Sequence, residues 1–199
     1  MKYRLEFEKK GDIKYIGHLD LQRVFNHIIR RAKIPVAFTE GFHPHMKLSF
    51  ALPLPVGMTS SKDYADLICT CEYDFINDFN NAAPKGLFLH RAYIFEGPGS
   101  AALTIAADYE IYTDLKIQDD FLQKENILIE KRTKKGTKII DIKPDIYYIK
   151  QEQNIITMRL AAGSHKHLAP QIVLNEIFGK SDFEINRKDL VFNDLYKLL

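Results

Sequence analysis

Two of the seven histidines fall in the run Gly41-Phe42-His43-Pro44-His45, and Lys47 follows two residues later. Pro44 fixes its own φ and biases His43 toward extended backbone, so both imidazoles are expected on a stiff loop. Imidazole titrates near neutrality and serves as general acid, general base or metal ligand. His18, opening a predicted helix beside Asp20, is a third candidate. With Lys47 as the cation, His18, His43 and His45 supply what metal-independent RNA cleavage needs at one phosphate. The same three histidines are the right number for a metal site with an open fourth position. No HExxH-type spacing accompanies them, and the expectation is no metal and no cofactor. His165 and His167 form a second pair, expected in a solvated loop.

The basic residues suggest binding. Arg23, Arg30, Arg31 and Lys33 fall on the polar side of the predicted helix, and Lys47 follows the histidine loop. Lys131, Arg132, Lys134, Lys135 and Lys138 surround the turn at Gly136. If these groups share a face with the histidine loop, they form a track for a phosphate backbone, with Tyr3, Tyr15, Phe38 and Phe42 as stacking surfaces. The alternative is a set of solvated surface charges. The net charge of +2 gives no global attraction to nucleic acid or membrane, so any anionic partner must be recognised locally.

Other chemistry is not indicated. Cys69 and Cys71 are i and i+2 in an expected strand, where a disulfide would be strained and two thiols do not complete a zinc site. No Walker, Rossmann or Gly-x-Ser-x-Gly pattern occurs. There is no apolar run long enough to span a bilayer and no recognisable signal peptide. A reduced cytoplasmic setting is expected.

Patterning points to an α+β chain. Residues 2–8 alternate apolar Tyr3, Leu5 and Phe7 with charged neighbours, which predicts a half-buried strand that Lys14–Ile16 extends beyond a turn. Leu21, Val24, Phe25, Ile28, Ile29 and Ala32 give a helical stripe over about His18–Ala32. Strands are expected at Val36–Phe38 continued by Leu48–Leu52, at Tyr64–Tyr73 and at Leu87–Phe95, with a helix after Asp74 as N-cap. That order is β-α-β-β-α-β, the ferredoxin-like plan, over residues 1–96. Gly97-Pro98-Gly99-Ser100 reads as a linker. Residues 101–199 read as a second α+β unit. It has a strand at Ala106–Thr113, a short helix at Ile117–Gln123, hairpins around Gly136 and around Glu152–Asn154, a helix from Pro170 to Phe178 and a last strand at Phe183–Ile185.

Gly17-His18-Leu19-Asp20-Leu21-Gln22-Arg23, Arg30-Arg31-Ala32, Gly41-Phe42-His43-Pro44-His45 and Leu52-Pro53-Leu54-Pro55-Val56-Gly57 occur in this order. Together they resemble the uncharacterised bacterial radical SAM-associated domain family. Lys135-Gly136-Thr137-Lys138, Ile140-Asp141 and Pro144 add to the match. Gly17 stands where a serine is common, and Met46 where a proline is common. The resemblance implies association with a radical S-adenosylmethionine protein, fused or separate. The chain lacks the three-cysteine cluster motif of such enzymes. The expectation is therefore a noncatalytic accessory protein that presents RNA, tRNA or rRNA, to that partner. Arg23, Arg30, Arg31 and Lys47 would contact phosphates, and Lys134 and Lys135 would form a second contact. The alternatives are the endonuclease built on His18, His43, His45 and Lys47, and a protein adaptor docking through Ala51–Met58.

Overall fold

Alternation in the first strand sets the two faces of the sheet. In β1 (Lys2–Lys9), Tyr3, Leu5 and Phe7 are buried in one hydrophobic cluster. Their neighbours Lys2, Arg4 and Glu6 project the other way, as the two-residue period of a strand requires. The computed structural model describes residues 1–133, 136–164, 166–179 and 182–193. After β1 the chain makes a 3-10 turn, Gly11–Tyr15, where the sequence predicted a strand extension. Gly11 takes a left-handed φ of 61° there, which turns the chain away from the ladder.

Helix α1 (His18–Arg31) buries Leu21, Phe25, Ile28 and Ile29 on the Tyr3–Phe7 side. Residues 36–38 form no strand of their own. They make only the isolated bridges Val36 to Cys69 and Phe38 to Met46. β2 (Leu48–Phe50) and β3 (Thr59–Ile68) follow, and β3 begins five residues earlier than its apolar run suggested. Its polar start, Thr59-Ser60-Ser61-Lys62-Asp63, is paired with β1 and with the last strand. α2 (Ile76–Ala82) has Phe75 rather than Asp74 at its N-cap position, with no side-chain cap from it, and Asp74 accepts from the Ile76 N–H at 3.4 Å. β4 (Leu87–Ile94) completes the run by pairing with β1.

The expected linker is docked. Pro98 O accepts from Arg4 Nη2 at 3.2 Å, and Ser100 N–H donates to Asp66 Oδ2. α3 (Ser100–Leu103) leads directly into β5 (Thr104–Tyr112). α4 (Asp119–Gln123) precedes the hairpin β6 (Leu128–Thr133) and β7 (Gly136–Asp141), which forms its own two-stranded sheet. β8 (Ile146–Glu152) and β9 (Ile155–Ala161) form the second predicted hairpin. α5 (Pro170–Phe178) has proline at its start and ends at Gly179, left-handed at φ 68°, as predicted. β10 (Ile185–Phe192) is eight residues long where three were expected.

The result is a mixed α+β fold around an eight-stranded, mostly antiparallel sheet in the order β4-β1-β3-β10-β5-β9-β8, with β2 also on β3. The edge of β3 is thus shared: β2 takes residues 65–67, and β10 runs parallel to residues 59 and 60. A second hydrophobic cluster joins Ala107, Tyr109, Ile111, Met158, Val173 and Leu174 with Ala51, Leu54 and Met58 from the Pro-Leu-Pro corner. Among the described residues, no helix is long and apolar enough to cross a membrane.

Candidate nucleic-acid interface

The cations of α1 are placed by its apolar stripe. Packing of Leu21, Phe25, Ile28 and Ile29 against the sheet leaves Arg23, His27, Arg30 and Arg31 exposed on the far side. Arg23 is engaged by Asp20, Nη1 to Oδ1 at 2.9 Å. Arg30 and Arg31 close the helix, where positive charge suits the carbonyl end of the dipole. No carboxylate among the described residues forms a salt bridge with either arginine.

The histidine loop is closed by two hydrogen bonds between Thr39 and His45, one main chain to main chain and one to the Thr39 side chain. Thr39 N–H donates to His45 O at 2.8 Å, and His45 N–H donates to Thr39 Oγ1 at 2.9 Å. His43, His45 and Phe42 are exposed, Phe42 completely. Past the loop the two-residue period resumes. Met46 and Leu48 enter the α1-side core, so Lys47 and Ser49 belong to the opposite face. The register agrees: Ser49 stands opposite Asp66, and Asp66 opposite Arg4.

On that face Arg4 binds Asp66 at 2.9 and 3.4 Å and lies 4.1 Å from the centroid of Phe95 and 5.3 Å from that of Phe192. Lys2, Lys47, Thr39, Ser49 and Phe95 border a pocket of about 320 Å³ beside this pair. Further along the face the charges compensate one another. Arg159 grips Asp108 at 2.7 and 2.8 Å, Lys188 meets Glu110 at 2.7 Å and Lys62 meets Asp189 at 3.2 Å.

A buried cluster occupies the α1 side. Phe7 pairs with Asp63 but Lys9 with Ser60, an extra residue in β3 that turns Ser60 and Asp63 to the same face. Arg187 donates to Asp63 Oδ2 and, at 2.9 Å, to Leu52 O. Lys9 Nζ donates to Ile16 O at 2.9 Å. Burial, then the Arg187 charge, hold the Lys9 ammonium below its usual pKa, against the pull of Asp63. The cluster fixes the Pro-Leu-Pro corner and the Gly11–Tyr15 turn to the sheet.

The expected residues therefore divide into two sets. His18 packs edge-on against Phe50, centroids 5.4 Å apart, on the α1 side, whereas Lys47 is on the other face. Among the described residues, Lys47 and the α1 cations do not line one groove. Among the described residues no group of three or more His, Cys, Asp or Glu is arranged to hold a metal, so His18, His43 and His45 do not converge as one. Tyr3, expected as a stacking ring, is buried against Phe75 at 5.2 Å, while Tyr15, Phe38 and Phe42 are exposed. Burial pushes the Cys69 thiol up to about 11. Lys134, Lys135 and His165 lie outside the described residues. Sequence reasoning missed Lys2, Phe95, Lys9, Asp63 and Arg187. Lys9 carried a readable signal: it continues the inward set Tyr3, Leu5, Phe7 with a charge.

A family model described as an uncharacterized protein conserved in bacteria, DUF2344, matches residues 2–170. The chain belongs to that family. No curated protein matches this DUF2344 chain. Among solved structures it is similar to a chain of the crystal structure of a Cbf5-Nop10-Gar1 complex, at 11% identity and a TM-score of 0.47, over 94% of this chain and 48% of that one. It therefore spans about half the length of that solved chain. It also aligns with a CRISPR associated protein Cas6 at 9% identity and a TM-score of 0.22, over 92% and 93% of the two chains.

Proposed function

We propose that this DUF2344 protein is a noncatalytic accessory factor that binds RNA, tRNA or rRNA, and presents it to a radical S-adenosylmethionine enzyme. The observation that carries the binding part is the exposure of Arg30, Arg31 and Lys47 without a carboxylate partner among the described residues. Phosphate contacts need such cations, because a lysine or arginine already neutralised on the protein releases fewer counterions from the nucleic acid. In this reading the strand passes over one edge of the first half, from the end of α1 past the exposed Phe42 loop to Lys47. The order β4-β1-β3-β2 with α1 and α2 on one side supports a ferredoxin-like plan for that half. The enzyme partner rests on the motif resemblance over Gly17–Arg23 and Gly41–His45. The binding reading is favoured over the endonuclease because His18 and Lys47 take opposite faces of the sheet.

Gel-shift titration against total tRNA tests the binding. The double charge reversal Arg30→Glu, Arg31→Glu is expected to weaken it at least about tenfold and to flatten its salt dependence by about 0.7–0.9 in log–log slope per lost phosphate contact. Unchanged affinity overturns the reading. Co-purification with a radical S-adenosylmethionine enzyme tests the partner.

A further inference from the structure

The pocket beside Lys47 has the composition of a ligand site. Phe95 N–H donates to Lys2 O at 3.0 Å, Lys2 is the register partner of Ile68, and Ile68 N–H donates to Lys47 O at 3.0 Å. These four residues form one row across β4, β1, β3 and β2, facing away from α1. Adjacent strands are about 4.8 Å apart, so Lys2 and Lys47 flank Ile68 with about 10 Å between their backbones. Two flexible ammonium groups at that spacing can close on one phosphate. The described residues offer neither lysine a carboxylate in salt-bridge range. Asp66, which also lines the pocket, is already matched by Arg4 and by the Ser100 N–H. The local formal charge is therefore positive.

The rest of the lining suits a planar ring. Phe95 is held by Arg4 at 4.1 Å, a cation–π contact that fixes the aromatic wall. Gly97, at φ 93°, and Gly99 present backbone alone, and a Cβ on Gly99 would come within 3.2 Å of Asp66 Oδ2. Thr39 and Ser49 supply hydroxyls at the rim. The volume of about 320 Å³ falls in the range of small-ligand sites.

We propose that this pocket binds one nucleotide, its phosphate between Lys2 and Lys47 and its base against Phe95. As a unit of an RNA strand it would deepen the RNA-binding reading above, on which that form of the proposal rests. Calorimetric titration of the full chain with AMP, GMP, CMP, UMP, inorganic phosphate and a short single-stranded RNA tests it. At least one mononucleotide should bind one-to-one with a Kd of about 1 mM or tighter. Lys47→Glu should weaken that binding at least tenfold, and the exposed position leaves the fold intact by thermal melting. Phe95→Leu should weaken the mononucleotide while sparing inorganic phosphate. Absence of saturable mononucleotide binding, or unchanged affinity in Lys47→Glu, overturns the proposal. An oligonucleotide that binds more tightly than any mononucleotide identifies a strand as the source. Equal affinities identify a free nucleotide. Arg30→Glu, Arg31→Glu should leave mononucleotide binding intact while weakening tRNA. A chain that binds mononucleotide but no tRNA retains the pocket and loses the accessory reading, and the reverse result does the opposite.

Discussion

Asp63 and Asp66 stand three residues apart on β3 and take buried arginines on opposite faces of the sheet. Asp66 meets Arg4, accepts from Ser100 N–H and borders a pocket open to solvent. Asp63 meets Arg187 with Lys9 nearby, so two cations face one carboxylate, and among the described residues neither Ser60 Oγ nor Arg187 Nε has a hydrogen-bond partner. The Arg4 pair is balanced and borders a pocket at the surface. The Arg187 cluster is overcharged and sealed, and its neighbours are main-chain carbonyls of the corner and the turn. One strand thus uses the same residue types beside an open pocket on one side and for joining segments on the other. A buried pair is costly to break even where forming it gained little.

The largest effect is expected at the sealed cluster. Asp63→Ala leaves Lys9 and Arg187 buried without an anion and should cost about 3–5 kcal/mol in urea unfolding. A loss under about 1 kcal/mol would mean that water reaches the cluster. Arg4→Ala should cost less, about 1.5–3 kcal/mol, because Asp66 keeps the Ser100 N–H and has solvent beside it. Gly99→Ala pushes a methyl to 3.2 Å from the Asp66 carboxylate and should cost about 1 kcal/mol by thermal melting, leaving the Asp63 side untouched.

The smallest expected effect is on pH dependence. His167 is exposed at the surface, yet partial desolvation, then the Arg187 and Lys131 charges, hold it below its ordinary pKa. The unfolded chain then takes up a proton that the folded one resists. Stability should be full above the unfolded value of about 6.5 and fall as pH drops below it toward the lower folded value. Melting temperatures from pH 7.5 to 5 should slope less steeply in His167→Gln. An unchanged slope would show that neither desolvation nor those charges hold His167 low in the folded chain.

Elements written in a single period were legible. β1 shows its alternation, α1 its stripe, and α5 its proline start and glycine stop. β10 was not legible because Arg187 fills an inward position, so the strand appears too polar to be central. The start of β3 failed for the same reason, with Ser60 and Asp63 turned inward beside the bulge. The Gly97–Ser100 segment has the composition of a linker, yet its Pro98 carbonyl and Ser100 amide are tied to β1 and β3 by side chains more than thirty residues away. Of the candidate site, the residue types were legible and the facing was not. Lys47 could be assigned to a side only once Met46 and Leu48 were known to enter the core.

The insertion of β10 between β3 and β5 has a bearing on synthesis. The ribosome delivers this strand after every other strand described. Until it emerges, β5 lacks its inner neighbour and β3 keeps part of one rim unpaired. Such open rims are where nascent chains pair wrongly. A chain cut short before Ile185 would thus carry two adhesive borders, making the last strand a safeguard against aggregation.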